Sequence, residues 1–535
     1  MDQMNGAALK NLLASGSNNL VGHKKDVDAL NVFPVPDGDT GTNMSLTFSN
    51  GVAEVNKSGS ESLPVIAKTF SRGLLMGARG NSGVILSQIF RGFYQSVQNK
   101  ETLNAQDFAD ALVNGSKLAY KAVMRPVEGT ILTVIRESSE AASLYMTVHP
   151  EADLNGLMNE VVTASEKSLA RTPELLPVLK EANVVDSGGA GLVYVFKGFK
   201  AFLDGKPVTV EEAEKSAVSE KKENRAAGYR AEYILELKGR SAGSFKEERF
   251  RKSLEQLGTD ATLIIEENVI KAGINTLMPG EVITLAQRYG EFTKIQIENL
   301  NGELSPSIIV PAKKDDAKEY GLIAVAAGEG LVKLFTDYRA DYVVSGGQTM
   351  NPSTEDFVTA ISKVNAKHIF ILPNNSNIVM AAKQAAEVTE DKDVIVLETK
   401  SVPQGISACI NFNPEEELEV NKATMSEAIA NVKTGSVTYA IKDTTMDGRE
   451  IHAGDYMAIQ EKEIIATAST RVEAAKALIE AMVDEDTEIV TIIKGEDATD
   501  EEASEVEAFI DENYEIDVDL QDGGQPVYSF FIGVE

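Results

Sequence analysis

The pattern of apolar and polar positions divides the chain into a helical first part and a mixed remainder. From residue 1 to about 200, apolar residues recur every three or four positions. In the segment that follows Asp107, for example, Phe108, Leu112, Ala119 and Val123 fall on one helical face. The stretch 208–227 is rich in Glu, Lys, Ser and Ala and lacks aromatic residues, which predicts a solvated linker or an exposed helix.

Strand-like apolar runs begin after this stretch. Three of them, at 231–237, 261–265 and 293–298, predict strands, and the last shows strict alternation of apolar and polar residues. This section of the chain therefore predicts an α+β domain.

From residue 311 onward, short apolar runs alternate with helical segments. The runs lie at 322–325, 369–372 and 394–397, and the helical segments include 355–364 and 470–482. This repeated order of strand, loop and helix predicts an α/β domain with a largely parallel sheet. Ser353 with Asp356, and Thr470 with Glu473, have the spacing of capping boxes at helix starts.

The length of 535 residues exceeds what one ordinary core accommodates. We predict a helical domain at 1–205, a linker at 206–227, a middle α+β domain at 228–310 and a C-terminal α/β domain at 311–535. The fold class is therefore multidomain.

A net charge of −31 argues against binding nucleic acid, which requires a basic surface, and against a polybasic membrane contact. No apolar run approaches the roughly 18 residues of a membrane-spanning helix, and the N-terminus lacks the apolar core of a signal peptide. The single cysteine, Cys409, excludes an internal disulfide, and its apolar surroundings predict buried packing rather than a nucleophile. The four histidines are widely spaced and form no zinc signature. A cytoplasmic protein is expected.

The stretch 31–44 cannot be ordinary helix or strand. Pro34 and Pro36 fix φ and remove N–H donors, while Gly38 permits backbone conformations that other residues disfavour. The segment therefore predicts a rigid turn that points Asp37 and Asp39 at one place.

Carboxylate, amide and hydroxyl oxygens suit Mg²⁺, which usually shares its coordination shell with water and phosphate oxygens. Asp37 and Asp39 are the predicted metal ligands, with Asn31 as a further ligand or ligand positioner. The alternative is an Asp/Gly turn that only caps the helix beginning near Thr42.

A second glycine-rich cluster, 77–83, precedes an apolar set with helical spacing. It predicts a loop that leads into a helix N-terminus, where N–H groups and the helix dipole favour an anion. Asn81 and Ser82 are the natural side-chain donors, and Arg79 either adds charge or forms a structural ion pair.

Two more polar breaks lie at 126–130 and 184–191, each before an apolar run. Asp186 and Ser187 also fit an ordinary N-cap. Four such breaks within about 200 residues favour a shared site over four unrelated turns. The chain has no P-loop and no complete dinucleotide fingerprint, so a nucleotide site here belongs to neither class.

Taken together, these motifs resemble the nucleotide-binding L domain of dihydroxyacetone kinases, and the whole chain resembles the ATP-binding subunit of bacterial fatty acid kinase. The resemblance is carried by NVFPVPDGDTGTNM (31–44), GLLMGARGNSGVILSQ (73–88), KAVMRPVEGTILTV (121–134), VVDSGGAGL (184–192), SGGQTMNPSTED (345–356), ILPNNSNI (371–378), TKSVPQGISA (399–408) and DGGQPVY (522–528). It implies a barrel of antiparallel helices with ATP and Mg²⁺ held by the loops at one end.

On this basis we expect Asp37 and Asp39 to hold Mg²⁺ against the ATP phosphates. Residues that would cradle phosphate oxygens through side chains or backbone N–H groups are Thr42, Asn43, Gly80, Asn81 and Ser82. Residues that would line the nucleotide pocket are Gly129, Thr130 and Asp186. No base is assigned, because a fatty acid carboxylate is already ionised at neutral pH and is itself the nucleophile.

The expected function is transfer of the ATP γ-phosphoryl group to a fatty acid presented by a separate carrier protein, giving acyl phosphate for phospholipid synthesis. The alternatives are a dihydroxyacetone-type small-molecule kinase and a nucleotide-sensing regulatory scaffold. ATP turnover that depends on the loaded carrier separates the three. Acyl-chain preference does not follow from this sequence, because the acyl pocket would belong to the carrier.

Polar turns are predicted after strands of the C-terminal domain, at 345–348, 373–376 and 403–405. Turns of this kind line a crevice at the strand ends of open α/β sheets, although polar turns also occur where nothing binds. The resemblance implies that this domain engages the carrier.

The middle domain departs from the pattern of many relatives. Where they have Val-His-Val-His-Thr, this chain has Lys-Ala-Gly-Ile-Asn-Thr at 271–276, and Arg230 stands where some have a cysteine. Metal binding there is therefore not expected. We expect instead a structural module that forms a homodimer.

Overall fold

The computed structural model describes residues 1–31, 38–210, 229–237, 247–255, 257, 259–266, 269–276, 279–299, 317–347, 351–440, 444–446, 449–461 and 463–535. Its first part, the helical region, consists of α1 (Gly6–Gly22), α2 (Lys24–Ala29), α3 (Thr40–Ser58), α4 (Leu63–Met76), α5 (Gly80–Val97), α6 (Ala105–Ala122), α7 (Ile131–Val148), α8 (Leu154–Leu175), α9 (Pro177–Glu181) and α10 (Ser187–Leu203).

The long helices of this region close into a barrel, as the resemblance implied. Neighbours pack in the order α1, α3, α4, α5, α6, α7, α8 and α10, and α10 returns to α1. Closure depends on small residues, because a Cβ atom on Gly198 of α10 would lie 2.6 Å from the Gly16 Cα of α1. The barrel therefore has one interior and two ends formed by loops.

Apolar faces of the helices fill that interior. Phe48 packs edge-on against Phe70 and Phe90, with ring centroids 5.1 and 5.3 Å apart. On α6, the residues Phe108, Leu112 and Ala119 are buried as the periodicity predicts.

The middle region consists of β1 (Tyr229–Leu237), α11 (Glu247–Glu255), β2 (Thr259–Glu266), β3 (Val269–Thr276), α12 (Pro279–Gln287) and β4 (Gly290–Asn299). Its strands form one antiparallel sheet in the order β2-β3-β1-β4. The predicted α+β class is confirmed. Strand β3 was not predicted, although its Ile270, Ala272 and Ile274 alternate into the core.

The C-terminal region begins with β5 (Lys318–Ala326), α13 (Glu329–Asp337), β6 (Tyr342–Ser345), α14 (Thr354–Lys363), β7 (Ala366–Leu372), α15 (Val379–Val388), β8 (Asp393–Val396), α16 (Val402–Ile410) and α17 (Leu418–Asn431). It continues with β9 (Lys433–Tyr439), β10 (Thr444–Met446), β11 (Arg449–Ile451), β12 (Tyr456–Gln460), β13 (Glu463–Ala468), α18 (Arg471–Met482), β14 (Ile489–Gly495), α19 (Asp500–Asn513), β15 (Asp517–Gln525) and β16 (Tyr528–Val534).

Only the first half of this region has the predicted parallel sheet, with strand order β6-β5-β7-β8. The second half forms a six-stranded sheet, β13-β12-β9-β16-β14-β15, in which β14 and β15 are the parallel pair and the other described neighbours are antiparallel. The expectation of a largely parallel sheet is therefore wrong for this half. Connections as short as that between Gln460 and Glu463 cannot make a parallel crossover.

Ser353 and Thr470 cap helix starts, as their spacing predicts. Ser353 and Asp356 form the complete capping box of α14. Thr470 accepts a hydrogen bond from the Glu473 N–H at the start of α18. The predicted turn 403–405 is wrong, because these residues form the buried first turn of α16, where proline is well tolerated. Cys409 is buried in the same helix, and burial raises the pKa of its thiol to about 12.

The helical and C-terminal regions belong to one compact unit, residues 1–219 with 314–535, and residues 220–313 form a second. Within the first unit, Ala78 and Val84 of the helical region share an apolar cluster with Ile323, Phe357 and Ile378 of the C-terminal region. The sequence did not predict this joint core. Among the described residues, no helix is both long and apolar enough to cross a bilayer.

Candidate nucleotide site

The N-termini of four helices meet at one end of the barrel. Helices α3, α5, α7 and α10 each begin at one of the polar breaks found in the sequence. Three contacts connect them: Asn43 of α3 reaches Gly80 of α5, Met44 of α3 reaches Gly191 of α10, and Ile131 of α7 donates to Asp186 before α10. The shared location expected from the sequence is therefore found for these four breaks.

The start of α3 is capped from outside by Asp28, which lies at the end of α2. Thr42 donates its backbone N–H to Asp28 Oδ1 and its hydroxyl to Asp28 Oδ2, both at 2.9 Å. Burial raises the pKa of the Asp28 carboxyl, while the hydrogen bonds from Thr42 and from the Gly41 N–H lower it. Thr42 thus has a protein partner for both of its donors, and Asp28 fixes the direction of α3.

The start of α5 has a different form. Its first residue, Gly80, has φ +58°, a left-handed conformation that favours glycine. A Cβ atom on Gly80 would lie 2.7 Å from Asn43 Nδ2 and 3.5 Å from Asn351 Nδ2. The N-cap residue Arg79 makes no side-chain cap to this helix. Two amide side chains therefore converge on a helix N-terminus that its own N-cap side chain does not cap.

Asp39 lies immediately before α3 and is half-buried. Its Oδ2 accepts a hydrogen bond from Asn351 Nδ2 at 2.5 Å, across 312 positions of sequence. Asn351 is 2% exposed, and its Oδ1 is buried with no hydrogen-bond partner among the described residues. The C-terminal region therefore supplies a side chain to this end of the barrel.

Arg79 and Asn81 also face the C-terminal region. Arg79 Nη1 donates to the Asn351 backbone oxygen at 2.9 Å and lies 3.9 Å from Asp356 Oδ2. Asn81 Nδ2 donates to Asn377 Oδ1 at 3.4 Å. Of the two roles considered for Arg79, the structure shows the structural ion pair. Ser82 follows on the first turn of α5 and is half-buried.

Asp186 caps α10 and connects it to α7. Its Oδ2 accepts the Gly189 N–H at 2.6 Å, and the Ile131 N–H also donates to its carboxylate. Burial raises the pKa of Asp186 to about 7, against the opposing effect of these two N–H groups. Ser187 Oγ lies 3.5 Å from Asn31 Oδ1, which brings the first predicted stretch to this position.

The loop before α7 is held by a charged network. Glu128 accepts hydrogen bonds from Thr133 Oγ1, Tyr120 Oη and Arg136 Nη2 at 2.6–2.9 Å. Gly129 has φ +82° and donates its N–H to Thr133 Oγ1, while the Thr130 side chain accepts the Leu132 N–H as the N-cap. The loop is therefore shaped by contacts within the helical region.

The predicted site residues fall into two neighbouring groups. Asp39, Thr42 and Asn43 lie with Gly80, Asn81 and Ser82, whereas Asn31 and Asp186 lie with Gly129 and Thr130 on the α7 and α10 side. Asp37 lies outside the described residues. Asp28, Glu128 and Asn351 were missed. Asp28 is a single acid in a helical pattern, Glu128 lies in the predicted break 126–130 without a local sign of its hydrogen bonds, and Asn351 is 312 positions from Asp39.

The donors around Asp39 fit a hydrated magnesium ion bound to phosphate. A carboxylate, side-chain amides and a buried amide oxygen without a partner are hard oxygen ligands or hydrogen-bond groups of the kind that Mg²⁺ and its waters use. Within the described ranges, no three His, Cys, Asp or Glu side chains form a cluster of the sort that holds a metal alone.

The predicted turns of the C-terminal region border a cavity of about 150 Å³ between its two sheets. Gly346 and Gly347, with Pro373 to Ser376, line it from the parallel sheet, and 434–436 line it from the other sheet. Asn374 and Asn375 are buried, and Ser345 is exposed. Among the described residues of these turns, the exposed surface expected for a partner protein is found only at Ser345, and Gln348 lies outside the described residues.

Comparison with protein families gives three matches that follow one another along the chain. Residues 34–201 match the DAK2 domain, residues 226–305 match the FakA-like middle domain of fatty acid kinase, and residues 321–535 match the FakA-like C-terminal domain.

Curated relatives align over the full length. Protein YloV of Bacillus subtilis is 46% identical, with 99% of each chain covered. Uncharacterized proteins of Staphylococcus saprophyticus and Staphylococcus aureus are 41% and 40% identical, with 100% of each chain covered.

Among solved structures, a DegV family protein of Corynebacterium glutamicum aligns with 15% identity and a TM-score of 0.33, covering 41% of this chain and 97% of that one. A DegV family protein of Thermus thermophilus, described by its fatty acid binding, aligns with 13% identity and a TM-score of 0.30, covering 41% and 99%.

The fold and the three domain matches define a multidomain kinase component with a DAK2-type helical domain. The chain belongs to the FakA-like family of fatty acid kinase proteins. Membership of this family implies kinase activity.

Proposed function

We propose that this protein is the ATP-binding catalytic subunit of a fatty acid kinase. It transfers the γ-phosphoryl group of ATP to a fatty acid that a separate carrier protein presents, and the acyl phosphate formed serves phospholipid synthesis. The observation that supports this most directly is the convergence of the Asn43 and Asn351 amides on Gly80 at the start of α5, with the Asp39 carboxylate hydrogen-bonded to Asn351.

Phosphoryl transfer depends mainly on alignment and charge neutralisation. Asp39, together with Asp37, would hold Mg²⁺, which neutralises phosphate charge when bound. Asn43 and the first N–H groups of α5 would bind phosphate oxygens, helped by the helix dipole. An oxygen of the fatty acid carboxylate attacks the γ-phosphorus, the bond to the ADP oxygen breaks, and ADP leaves with that electron pair.

This reaction needs no general base, because the attacking carboxylate is ionised at neutral pH.

One observation favours a second candidate, a kinase for a small hydroxylated substrate. Asp186 is a buried acid whose pKa is raised to about 7, a suitable value for taking a proton from a hydroxyl group. Its two N–H contacts, however, already account for it as the cap that joins α7 and α10.

The proposed enzyme acts in the cytoplasm as a homodimer formed through the middle region. Light scattering of the purified chain tests the dimer directly. A monomer at micromolar concentration would contradict that part of the proposal and leave the reaction unaffected.

The decisive experiment measures ADP release by the purified chain with magnesium and four acceptors. These are carrier loaded with fatty acid, empty carrier, free fatty acid and dihydroxyacetone. We expect release only with the loaded carrier, together with acyl phosphate detected as hydroxamate after treatment with hydroxylamine. Equal release with free fatty acid would remove the carrier from the proposal, and release with dihydroxyacetone would favour the small-molecule kinase. Nucleotide binding without turnover on any acceptor would favour a regulatory role.

A further inference from the structure

The segment that begins at Asn351 is fixed to the residues leading into α5. Ser353 pairs with Arg79 as an isolated antiparallel bridge, and the Thr354 N–H donates to the Ala78 carbonyl oxygen at 3.2 Å. Arg79 Nη1 in turn donates to the Asn351 backbone oxygen at 2.9 Å. These contacts, at Asn351 itself and at the residues that follow it, hold Asn351 beside the candidate nucleotide site.

The Asn351 side chain is only half satisfied. Its Nδ2 donates to Asp39 Oδ2 at 2.5 Å, but its Oδ1 has no partner among the described residues. A buried polar atom without a partner costs about 1–3 kcal/mol. Because both atoms belong to one amide group, the unpaired oxygen also lies close to the Asp39 carboxylate.

A purely structural buried asparagine in the same region has a different pattern. Asn421 is 1% exposed, donates to the Asn413 and Glu416 backbone oxygens at 2.7 and 3.2 Å, and accepts the Asn413 N–H at 2.9 Å. Both the nitrogen and the oxygen of its amide therefore have hydrogen-bond partners in the protein. Asn351 instead has one acceptor, Oδ1, without a partner among the described residues.

We propose that Asn351 is a positioning residue of the nucleotide site, contributed by the C-terminal region to the helical region. Its Nδ2 orients the Asp39 carboxylate, and its Oδ1 accepts a hydrogen bond from the hydrated magnesium ion of the bound nucleotide. The identity of that ligand rests on the proposed function. The site is therefore completed only when the two regions are packed together, which gives their joint apolar core a functional consequence.

The test measures binding of a fluorescent ATP analogue to the full chain over a range of magnesium concentrations, without fatty acid or carrier. The variants are Asn351→Ala, Asp39→Asn and the double variant. Asn431→Ala, an exposed asparagine at the end of α17, is the control. We expect Asn351→Ala to raise the magnesium concentration for half-maximal binding about tenfold. The control should bind as the wild type does.

The double variant tests whether Asn351 acts through Asp39. If it does, Asn351→Ala has little further effect once Asp39 is Asn, whereas independent roles give multiplying effects. A lower melting temperature for Asn351→Ala with an unchanged magnesium requirement would overturn the proposal and make the residue a structural contact only. Multiplying effects would overturn the part of the proposal in which Asn351 Nδ2 acts by orienting Asp39.

A second variant covers the case in which Asn351→Ala does not fold. Asn351→Asp keeps the shape but puts a carboxylate against Asp39, so we expect its magnesium requirement to depend steeply on pH between about 5 and 8. A pH profile equal to that of the wild type would contradict the role of Asn351. A different result is a wild type that binds the nucleotide with the expected dependence on Asn351 and Asp39 and yet shows no turnover with loaded carrier. That result would overturn the proposed reaction but not the positioning role of Asn351.

Discussion

Gly80 of α5 lies directly against Asn43 of α3, since a Cβ atom on Gly80 would lie 2.7 Å from Asn43 Nδ2. The sequence places these residues 37 positions apart, in separate motifs. Their contact defines a cradle of backbone N–H groups and amides at the barrel end. Its dimensions depend on the absence of a side chain at position 80.

Gly80→Ala should therefore damage nucleotide binding as well as stability. The new Cβ displaces the buried Asn43 amide, and alanine at φ +58° is strained by roughly 1 kcal/mol. Gly59→Ala is a matched control, because Gly59 has φ +61° and nothing lies within 4 Å of its added Cβ. We expect both variants to melt a few degrees lower but only Gly80→Ala to lose ATP-analogue affinity. Equal affinities would show that the cradle does not bind phosphate.

Asp39→Asn should reduce phosphoryl transfer at least a hundredfold while the protein stays folded. The change removes one negative charge from the proposed magnesium site, on a loop residue outside the apolar core. Asp37→Asn should have the same effect if both acids hold the ion. Asp26→Asn is the control, because Asp26 is an exposed acid on the neighbouring helix α2. Turnover at the wild-type rate in Asp39→Asn, measured with magnesium as the sole divalent cation, would remove the site.

Asp186 predicts a specific dependence of stability on pH. Its folded pKa of about 7 lies above the unfolded value of about 3.9, so the unfolded state loses its proton first as pH rises. Relative to Asp186→Asn, which keeps a capping side chain, the wild type should lose up to about 4 kcal/mol between pH 4 and 7 and nothing more above pH 7.

Melting temperatures of both proteins across this pH range give the measurement. Asp153→Asn provides a control of opposite sign, because the N-terminal ammonium and the Gly156 N–H hold the pKa of Asp153 below its usual value. Stability supplied by Asp153 is lost as pH falls. A difference between wild type and Asp186→Asn that does not change with pH would mean that Asp186 is ionised throughout.

A substitution at Ser345 tests whether the C-terminal region binds the carrier protein there. It is exposed at the end of β6, whereas the predicted contact at 403–405 is excluded because those residues are buried in α16. Ser345→Arg should raise the apparent KM for loaded carrier about fivefold, with ATP binding unchanged, the pattern of lost binding rather than lost chemistry. Ser504→Arg, at an exposed serine of α19, is the control. An unchanged KM would place the carrier elsewhere.

Much of the local structure follows from the sequence because its causes are local. The helical periodicity of 105–122 and the capping box of Ser353 with Asp356 depend on residues within a few positions of one another. The strand predictions held where alternation was strict, as in β4. They failed at β3, where Ala272 and Gly273, which have low strand propensity, lie between Ile270 and Ile274.

The sequence alone determined the helical character of the first region, several of the strands that follow, the polar breaks before four helices, and the residue types that suit phosphate and magnesium. It could not determine which groups pair across the molecule. The capping of α3 by Asp28, the antiparallel order of the second C-terminal sheet and the contact between Asn351 and Asp39 each join distant segments. Local patterns are set by how each element buries its own apolar face. Long-range pairs are set by how all the faces pack together, and only the tertiary structure decides that.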